Sequence, residues 1–225
     1  MNLPDLLDRD RSLVEHIARY HLSTPEIMAH RVLPGITANA LKKILQRLVR
    51  SRWLRSLPLY QQRYYYILSR SACEQLNISV RRSLPLGHEG LVQHFALLTY
   101  CAHNDVKLLS AVEFSQHFSE LCRPHLPAGC YFLRPEVGQL GWIMVDHGSR
   151  TERLASKVGR VIGKRYALPP FARLIQAGGF TIVVLTATPL KQHAIERALA
   201  DRPPKHVAVA VQALPELEPL LVGSK

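Results

Sequence analysis

Residues 37–57 read TANALKKILQRLVRSRWLRSL, and this stretch decides the fold of the amino-terminal part of the chain. Thr37 is a residue type that caps helices, and the following segment is predicted to be helical to about Arg52. Apolar residues recur three or four positions apart and therefore share one face of this helix. They are Leu41, Ile44, Leu45 and Leu48. The other face is polar and basic, so we expect a helix that packs on one side and presents cations on the other.

The charge of the surrounding sequence is strongly one-sided. Between Thr37 and Arg82 the chain has ten Lys and Arg residues and one acid, Glu74, which gives +9 of the +12 carried by all 225 residues. A merely solvated helix usually interleaves both signs. A dense basic stripe is typical of a nucleic-acid binder, because each phosphate contact releases condensed counterions. Double-stranded DNA is therefore the expected partner.

Two shorter helices are predicted before this segment. The first covers Asp8 to His21, where apolar residues recur at helical spacing. The second follows Ser23-Thr24-Pro25-Glu26, which is typical of a capping box with Ser23 as the cap, and ends near Arg31. Leu33-Pro34-Gly35 cannot continue a helix and supplies a turn. A short helix, a turn and a basic amphipathic helix predict a helix-turn-helix, whose last helix enters the major groove of DNA.

A β-hairpin is predicted directly after the third helix. Residues 53–57 and 64–68 are β-prone runs on either side of Pro58 to Arg63. A hairpin in this position is a wing, and Arg63 at its tip is the candidate for a phosphate contact. We expect Lys43 and Gln46 to read bases. The predicted DNA-binding residues are Thr37, Asn39, Lys42, Lys43, Gln46, Arg47, Arg50, Arg55 and Arg63.

The charge also divides the chain. Residues 1–83 carry +8 and residues 84–225 carry +4, so we expect a DNA-binding domain over 1–83 and a second domain over 84–225. The four cysteines form no C-x-x-C pair, no cleavable signal is recognisable, and no apolar run reaches about 18 residues. A cytoplasmic, nucleoid-associated protein is expected, with no membrane contact, metal centre or cofactor.

Helical and strand patterns alternate in the second domain. The predicted helices cover residues 88–103, 111–121, 151–165, 189–200 and 215–222. The predicted strands cover residues 131–133, 142–145, 180–185 and 207–211. This succession predicts an α/β sandwich with at least one parallel crossover. The whole chain is therefore expected to belong to the α+β or α/β class.

A family resemblance follows from four short stretches. The order DRSLVEHIARYHLST over residues 10–24, LQRL over 45–48, WL at 53–54 and YYILS over 65–69 resembles the replication-relaxation family of plasmids and integrative elements. The resemblance implies an N-terminal winged helix-turn-helix domain and a C-terminal α/β restriction-endonuclease-like domain. In an active domain of that kind, a Pro-Asp on one strand and a Glu-x-Lys on the next hold a divalent metal ion and position water for phosphodiester hydrolysis.

The candidates for such a site are Glu136, which follows Pro135, and Asp146. The resemblance implies a glutamate two residues before the aspartate, where this chain has Met144, and a lysine two residues after it, for which Lys157 is the candidate substitute. Methionine is a poor ligand for Mg²⁺. We therefore expect a degenerate nuclease domain without catalytic residues, in which Asp146 is a turn residue and helix cap.

Three functional hypotheses follow. The first is a sequence-specific double-stranded DNA-binding protein that regulates transcription of a plasmid or integrative element as a homodimer, with the second domain serving dimerisation or ligand sensing. Apolar residues between His88 and Phe118 form either that interface or the domain core. The alternative is an accessory nuclease for DNA replication or transfer that uses Glu136 and Asp146. The third is a scaffold whose basic face meets an acidic protein or RNA.

Overall fold

The computed structural model describes residues 6–127, 129–201, 203–204 and 206–222. The described helices are α1 (Asp8–Tyr20), α2 (Pro25–Arg31), α3 (Ala38–Arg50), α4 (Arg70–Gln75), α5 (His88–His103), α6 (Ala111–His117), α7 (Thr151–Tyr166), α8 (Pro169–Gln176), α9 (Pro189–Ala200) and α10 (Glu218–Val222). The described strands are β1 (Leu54–Pro58), β2 (Tyr64–Leu68), β3 (Lys107–Leu108), β4 (Tyr131–Arg134), β5 (Gln139–Val145), β6 (Phe180–Thr186) and β7 (Ala208–Ala213). The protein is of the mixed α and β class.

The chain forms two compact units, one that ends at Ala102 and one that begins at His103. The boundary expected from the charge, after residue 83, falls inside the first unit, which also contains most of α5. None of the described helices combines the length and the hydropathy needed to cross a membrane.

In the first unit, three helices are followed by a two-stranded antiparallel hairpin of β1 and β2. The predicted third helix is confirmed as α3, and the side chain of Thr37 accepts a hydrogen bond from the backbone N–H of Ala40 at 3.3 Å. The core joins apolar residues of all three helices to the hairpin. Among its members are Leu13, Val14, Ile17, Met28, Leu41, Ile44, Leu45, Leu48 and Trp53.

The prediction that Ser23 caps α2 is wrong. Thr24 is the cap, and its side chain accepts the hydrogen bond from the backbone N–H of Ile27. The backbone of Ser23 instead forms a β-bridge with Tyr66, and its hydroxyl lies 3.0 Å from Nε2 of His16. Pairing with the hairpin thus fixes Ser23 outside the helix, and the cap moves by one residue.

The second unit is built on one five-stranded sheet in the order β3-β4-β5-β6-β7. The first three strands are antiparallel neighbours, whereas β5, β6 and β7 run parallel. The parallel crossover expected from the sequence is therefore confirmed, and it occurs twice, through α7 and α8 and through α9. Helix α8 was not predicted; its two leading prolines occupy the first helical turn, where proline is tolerated.

The strands β5 and β6 are the most deeply buried strands of this sheet. Every residue of β6 is buried, as expected for a strand with parallel neighbours that is covered on both faces. Gly141 of β5 pairs with Phe132 of β4, and a Cβ atom at Gly141 would lie 2.0 Å from the phenylalanine ring. Only glycine fits there, and the ring fills the space.

Candidate nucleic-acid interface

Five of the predicted DNA-binding residues lie on the exposed side of α3. We call this surface the α3 face; it consists of Asn39, Lys42, Lys43, Gln46 and Arg50. At 3.6 residues per turn these positions fall within an arc of about 100°. Among the described residues, none of the five has an ion pair or hydrogen-bond partner for its side chain. Their donors and charges are therefore available to a ligand.

Arg47 lies beside this surface but is held from within the unit. Its Nη2 lies 2.5 Å from Oδ2 of Asp10 on α1, and the Asp10 side chain is only 3% exposed. Arg9 also contacts this carboxylate, at 3.3 Å. The sequence has no acid among the basic residues of the third helix, but the fold brings one from α1. The residue was detectable in principle, since Asp10 shares the helical spacing of Leu13, Val14 and Ile17 on the buried side of α1.

Arg55 and Arg63 also have partners in the first unit. Nη1 of Arg55 donates to the backbone carbonyl of Ser83 at 2.6 Å. Arg63 forms an ion pair with Glu26 at 3.1 Å and donates to the hydroxyl of Tyr60 at 2.9 Å. Burial raises the pKa of Glu26, but hydrogen bonds from its own backbone N–H and from Thr24, together with Arg63, outweigh burial and lower this pKa. The two arginines hold neighbouring segments in place and are less free than the α3 face.

A basic groove begins where α3 ends. It is lined in part by Arg52, Arg55, Arg70, Ser56, Ser69 and Ser71. The hydroxyls of Ser69 and Ser71 donate to the backbone carbonyl of Arg52, and Arg70 pairs with Glu74 at 3.1 Å. Among the described residues, the Arg52 side chain has no such partner. Arg52 and the hydroxyl of Ser56 are thus left in the groove to bind a phosphate. Arg52 and Arg70 contribute to the basic charge of the sequence but are not among its predicted site residues.

The candidate nuclease residues of the second unit are not brought together. Glu136 is exposed in the short turn before β5, whereas Asp146 follows the last residue of β5. A strand of this length separates its ends by about 20 Å. Lys157 is exposed on α7. The geometry thus gives no support to a metal site shared by Glu136 and Asp146, and the described residues contain no group of three His, Cys, Asp or Glu side chains that could hold a metal ion.

The surroundings of Asp146 fit its expected role in a turn. The expectation that it also caps the following helix is wrong, because Arg150 is the N-cap residue of α7 and the helix has no side-chain cap hydrogen bond. Asp146 is 2% exposed, and its Oδ1 accepts a hydrogen bond from the backbone N–H of Ser149 at 2.8 Å. The hydroxyl of Thr186 lies 3.5 Å from the other carboxylate oxygen. Asp146 therefore closes the connection between β5 and α7 and ties it to β6.

Comparisons with known proteins give no family for this chain. A scan against protein-family models matches none, and searches of curated proteins and of solved structures find no significant match. The resemblance to the replication-relaxation family therefore stays a prediction.

Proposed function

We propose that the first unit is a winged helix-turn-helix module that binds double-stranded DNA with sequence preference, and that the protein regulates transcription of a plasmid or integrative element. The observation that carries the proposal is the mixture of side chains on the α3 face. Lysine and arginine bind phosphates and guanine, and the amides of Asn39 and Gln46 are suited to the N6 and N7 atoms of adenine. A helix that only needed charge would have no use for unpartnered amides between its cations.

The local architecture supports insertion of α3 into a groove. The apolar side of α3 is buried in the core of the unit, so its polar side is the one that a ligand can cover. An α-helix fits the B-DNA major groove, which is about 12 Å wide. The hairpin of β1 and β2 follows α3 directly and takes the place of the wing. Arg52 in the basic groove would then bind the backbone at the end of the inserted helix.

Dimeric binding is part of the proposal. One recognition helix reads only a few base pairs, whereas two in a symmetric dimer read an inverted repeat and gain affinity through effective concentration. We expect half-sites centred about 10 base pairs apart, or at multiples of that spacing. Sedimentation of the protein with and without such a duplex measures the stoichiometry, and a single half-site bound by a monomer would contradict this part.

The test begins with selection of bound sequences from a random duplex library. Gln46→Ala is then expected to weaken binding to the selected site by about 1–3 kcal/mol and to relax the preference at one position, with little change on random duplexes. Gln75→Ala is the matched control, because Gln75 is an exposed glutamine on α4. Gel-shift titrations on both duplexes measure the two effects. A selection without any consensus, or equal losses on both duplexes, would refute sequence reading.

A further inference from the structure

The second unit carries a basic surface of its own on α7. Four cations recur at intervals of four, three and four residues, namely Arg153, Lys157, Arg160 and Lys164, and all four are exposed. We call this set the α7 stripe. At 100° per residue its members fall within an arc of about 60°, so they form one straight row. The row extends for about 16 Å from end to end, since each helical residue rises 1.5 Å.

The α7 stripe has no internal counterion. Among the described residues, none of its four side chains forms an ion pair or a hydrogen bond. Like charges three or four residues apart destabilise a helix, and the stripe contains three such neighbouring pairs. A solvated helix normally relieves this repulsion with acids at the same spacing, as Arg70 and Glu74 do on α4. The arrangement on α7 favours an external polyanion.

Two glycines supply an independent observation. Gly159 and Gly163 lie in the exposed part of α7, and a Cβ atom at either position would meet nothing within 4 Å. Glycine is the least favourable helix residue after proline, and here neither packing nor a left-handed backbone requires it. At 100° per residue both positions lie on one side of the stripe, between it and the buried Ile162. Such a flank lets a ligand backbone approach the helix closely.

The chemistry of the stripe selects among polyanions. The opposite side of α7 is buried in the core through Leu154, Val158 and Ile162, so the helix has no free apolar side to insert into a membrane surface. A nucleic-acid strand presents one phosphate per 3.4 Å of duplex axis, and about five phosphates therefore accompany a 16 Å row. A regular row of cations without amides matches a repeating charge.

We propose that the α7 stripe is a second nucleic-acid contact, which binds the phosphate backbone of duplex DNA without reading its sequence. The inference is independent of base reading by α3, since it needs only a backbone. The second unit then contributes affinity, in addition to any role in dimerisation or ligand sensing.

Salt dependence of binding measures this contact directly. We would titrate the full chain into a labelled random-sequence DNA duplex at several salt concentrations and follow anisotropy. Lys157→Gln/Arg160→Gln is expected to reduce the slope of log affinity against log salt by about 1.8, and the fourfold glutamine variant of the stripe by about 3.6, because each phosphate contact contributes about 0.9. The fold of each variant is checked by thermal melting. Because the substitutions remove like-charge repulsion, they should leave the melting temperature unchanged or raise it.

The matched control is Lys107→Gln/Arg173→Gln. It removes the same net charge from the same unit, but both of its cations are already paired, with Glu113 and Glu120. The control should leave the slope within about 0.5 of the wild-type value. A stripe variant that behaves like the control, or a slope unchanged by the fourfold variant, would overturn the proposal.

Two further measurements complete the test. The first distinguishes DNA from RNA as the source of the phosphates, and the second distinguishes the α7 contact from base recognition by α3. The stripe substitutions should reduce the salt slope less on an RNA duplex of the same length than on the DNA duplex. A larger reduction on the RNA duplex would overturn the assignment to DNA. The ratio of affinities for the selected and random duplexes should remain unchanged in the stripe variants and fall in Gln46→Ala. Failure of the α7 stripe therefore appears in the slope, whereas failure of the proposed function appears in the ratio.

Discussion

The helices α3 and α7 resemble each other in outline and differ in detail. Both bury an apolar side in their own unit and expose a basic side. The exposed side of α3 places the amides of Asn39 and Gln46 between its cations, whereas that of α7 has Gly159 and Gly163 beside its cations. Amides can distinguish base edges, but glycines can only admit a backbone. In the function that we propose, sequence preference therefore depends on α3, and α7 adds affinity.

The two helices also differ in whether carboxylates of their own unit pair with cations on or near them. Asp10 reaches Arg47 at the side of α3, and Glu26 reaches Arg63 in the nearby hairpin turn. Among the described residues, no carboxylate pairs with the α7 stripe. Internal acids thus hold Arg47 and Arg63 beside α3 in defined positions, whereas the α3 face itself, like the α7 stripe, is left without such acids among the described residues.

Charge reversal should give the largest difference between the two helices in their effect on DNA affinity. Lys42→Glu/Lys43→Glu is expected to weaken binding to the selected duplex by more than about 100-fold, because it removes groove contacts and places acids against phosphates. Lys157→Glu/Arg160→Glu changes the net charge equally and should weaken binding to selected and random duplexes by the same factor. Gel-shift titrations of both variants on both duplexes measure this. Identical behaviour of the two variants would contradict the distinction between base recognition by α3 and backbone binding by α7.

Acid should weaken the unit that contains α3. Burial is the largest cause that lowers the pKa of His16, His21 and His94 from the ordinary 6.5 to about 4. His21 and His94 also face each other, with Nδ1 and Nε2 3.3 Å apart, so protonation of one disfavours protonation of the other. Between pH 6.5 and 4 the unfolded chain binds more protons than the folded unit. Stability is therefore complete above about pH 6.5 and falls as the pH is lowered towards 4.

Tryptophan fluorescence can observe the first unit alone. Each unit has one tryptophan, Trp53 or Trp142, so a Trp142→Phe variant reports on the first unit through Trp53. We expect its melting temperature to fall by at least about 10 °C between pH 7 and 5. His94→Gln should flatten this dependence, whereas His30→Gln, a change at an exposed histidine, should not. An unchanged melting temperature at pH 5 would contradict the role of the buried histidines.

The contrast between α3 and its partners shows what the sequence could and could not supply. Periodicity and the cap at Thr37 are local, so the sequence predicted α3 nearly to its ends. The contact of Arg47 with Asp10 joins residues 37 positions apart, and no local pattern encodes such a contact. For the same reason the local pattern predicts the wrong cap at Ser23, because the pairing of Ser23 with Tyr66 depends on where the hairpin packs.

The proposed pairing of Glu136 and Asp146 illustrates a different limit. The resemblance behind the nuclease alternative implies acids on two neighbouring strands that converge on a metal ion, and Glu136 and Asp146 are the candidates for them. The register of β4 with β5 places Glu136 in the turn that joins the two strands and Asp146 at the far end of β5. Convergence requires acids at the same end of neighbouring strands, but the whole of β5 lies between Glu136 and Asp146 and holds them at its opposite ends.

Removal of the acid that holds Arg47 should lower both the stability of the first unit and its preference for the selected duplex. Asp10→Asn leaves the arginine without its ionised partner. Loss of this charged hydrogen bond is expected to reduce the free energy of unfolding by about 2 kcal/mol. The reduction is smaller than for a fully buried pair because the Arg47 side chain is half exposed. Freed Arg47 should also strengthen binding to random duplexes about twofold or more and reduce the ratio of selected to random affinity. Asp8→Asn, at an exposed acid of the same helix, is the control. Denaturant unfolding and anisotropy measure the two effects, and a rise in the ratio would contradict the role of Asp10 as a positioning residue.

The smallest expected effect concerns the glycines of α7. Gly163→Ala should raise the stability of the second unit by up to about 1 kcal/mol, since alanine is the better helix residue and its Cβ atom meets nothing within 4 Å. If a DNA backbone lies against this flank, the same methyl group should weaken binding to every duplex by a few-fold while the salt slope stays constant, because no charge is lost. Trp142 fluorescence in a Trp53→Phe variant reports the stability, and anisotropy reports the affinity. A gain in stability with full retention of affinity would contradict a contact between the DNA backbone and the glycines. The DNA would then contact only the four cations of the α7 stripe.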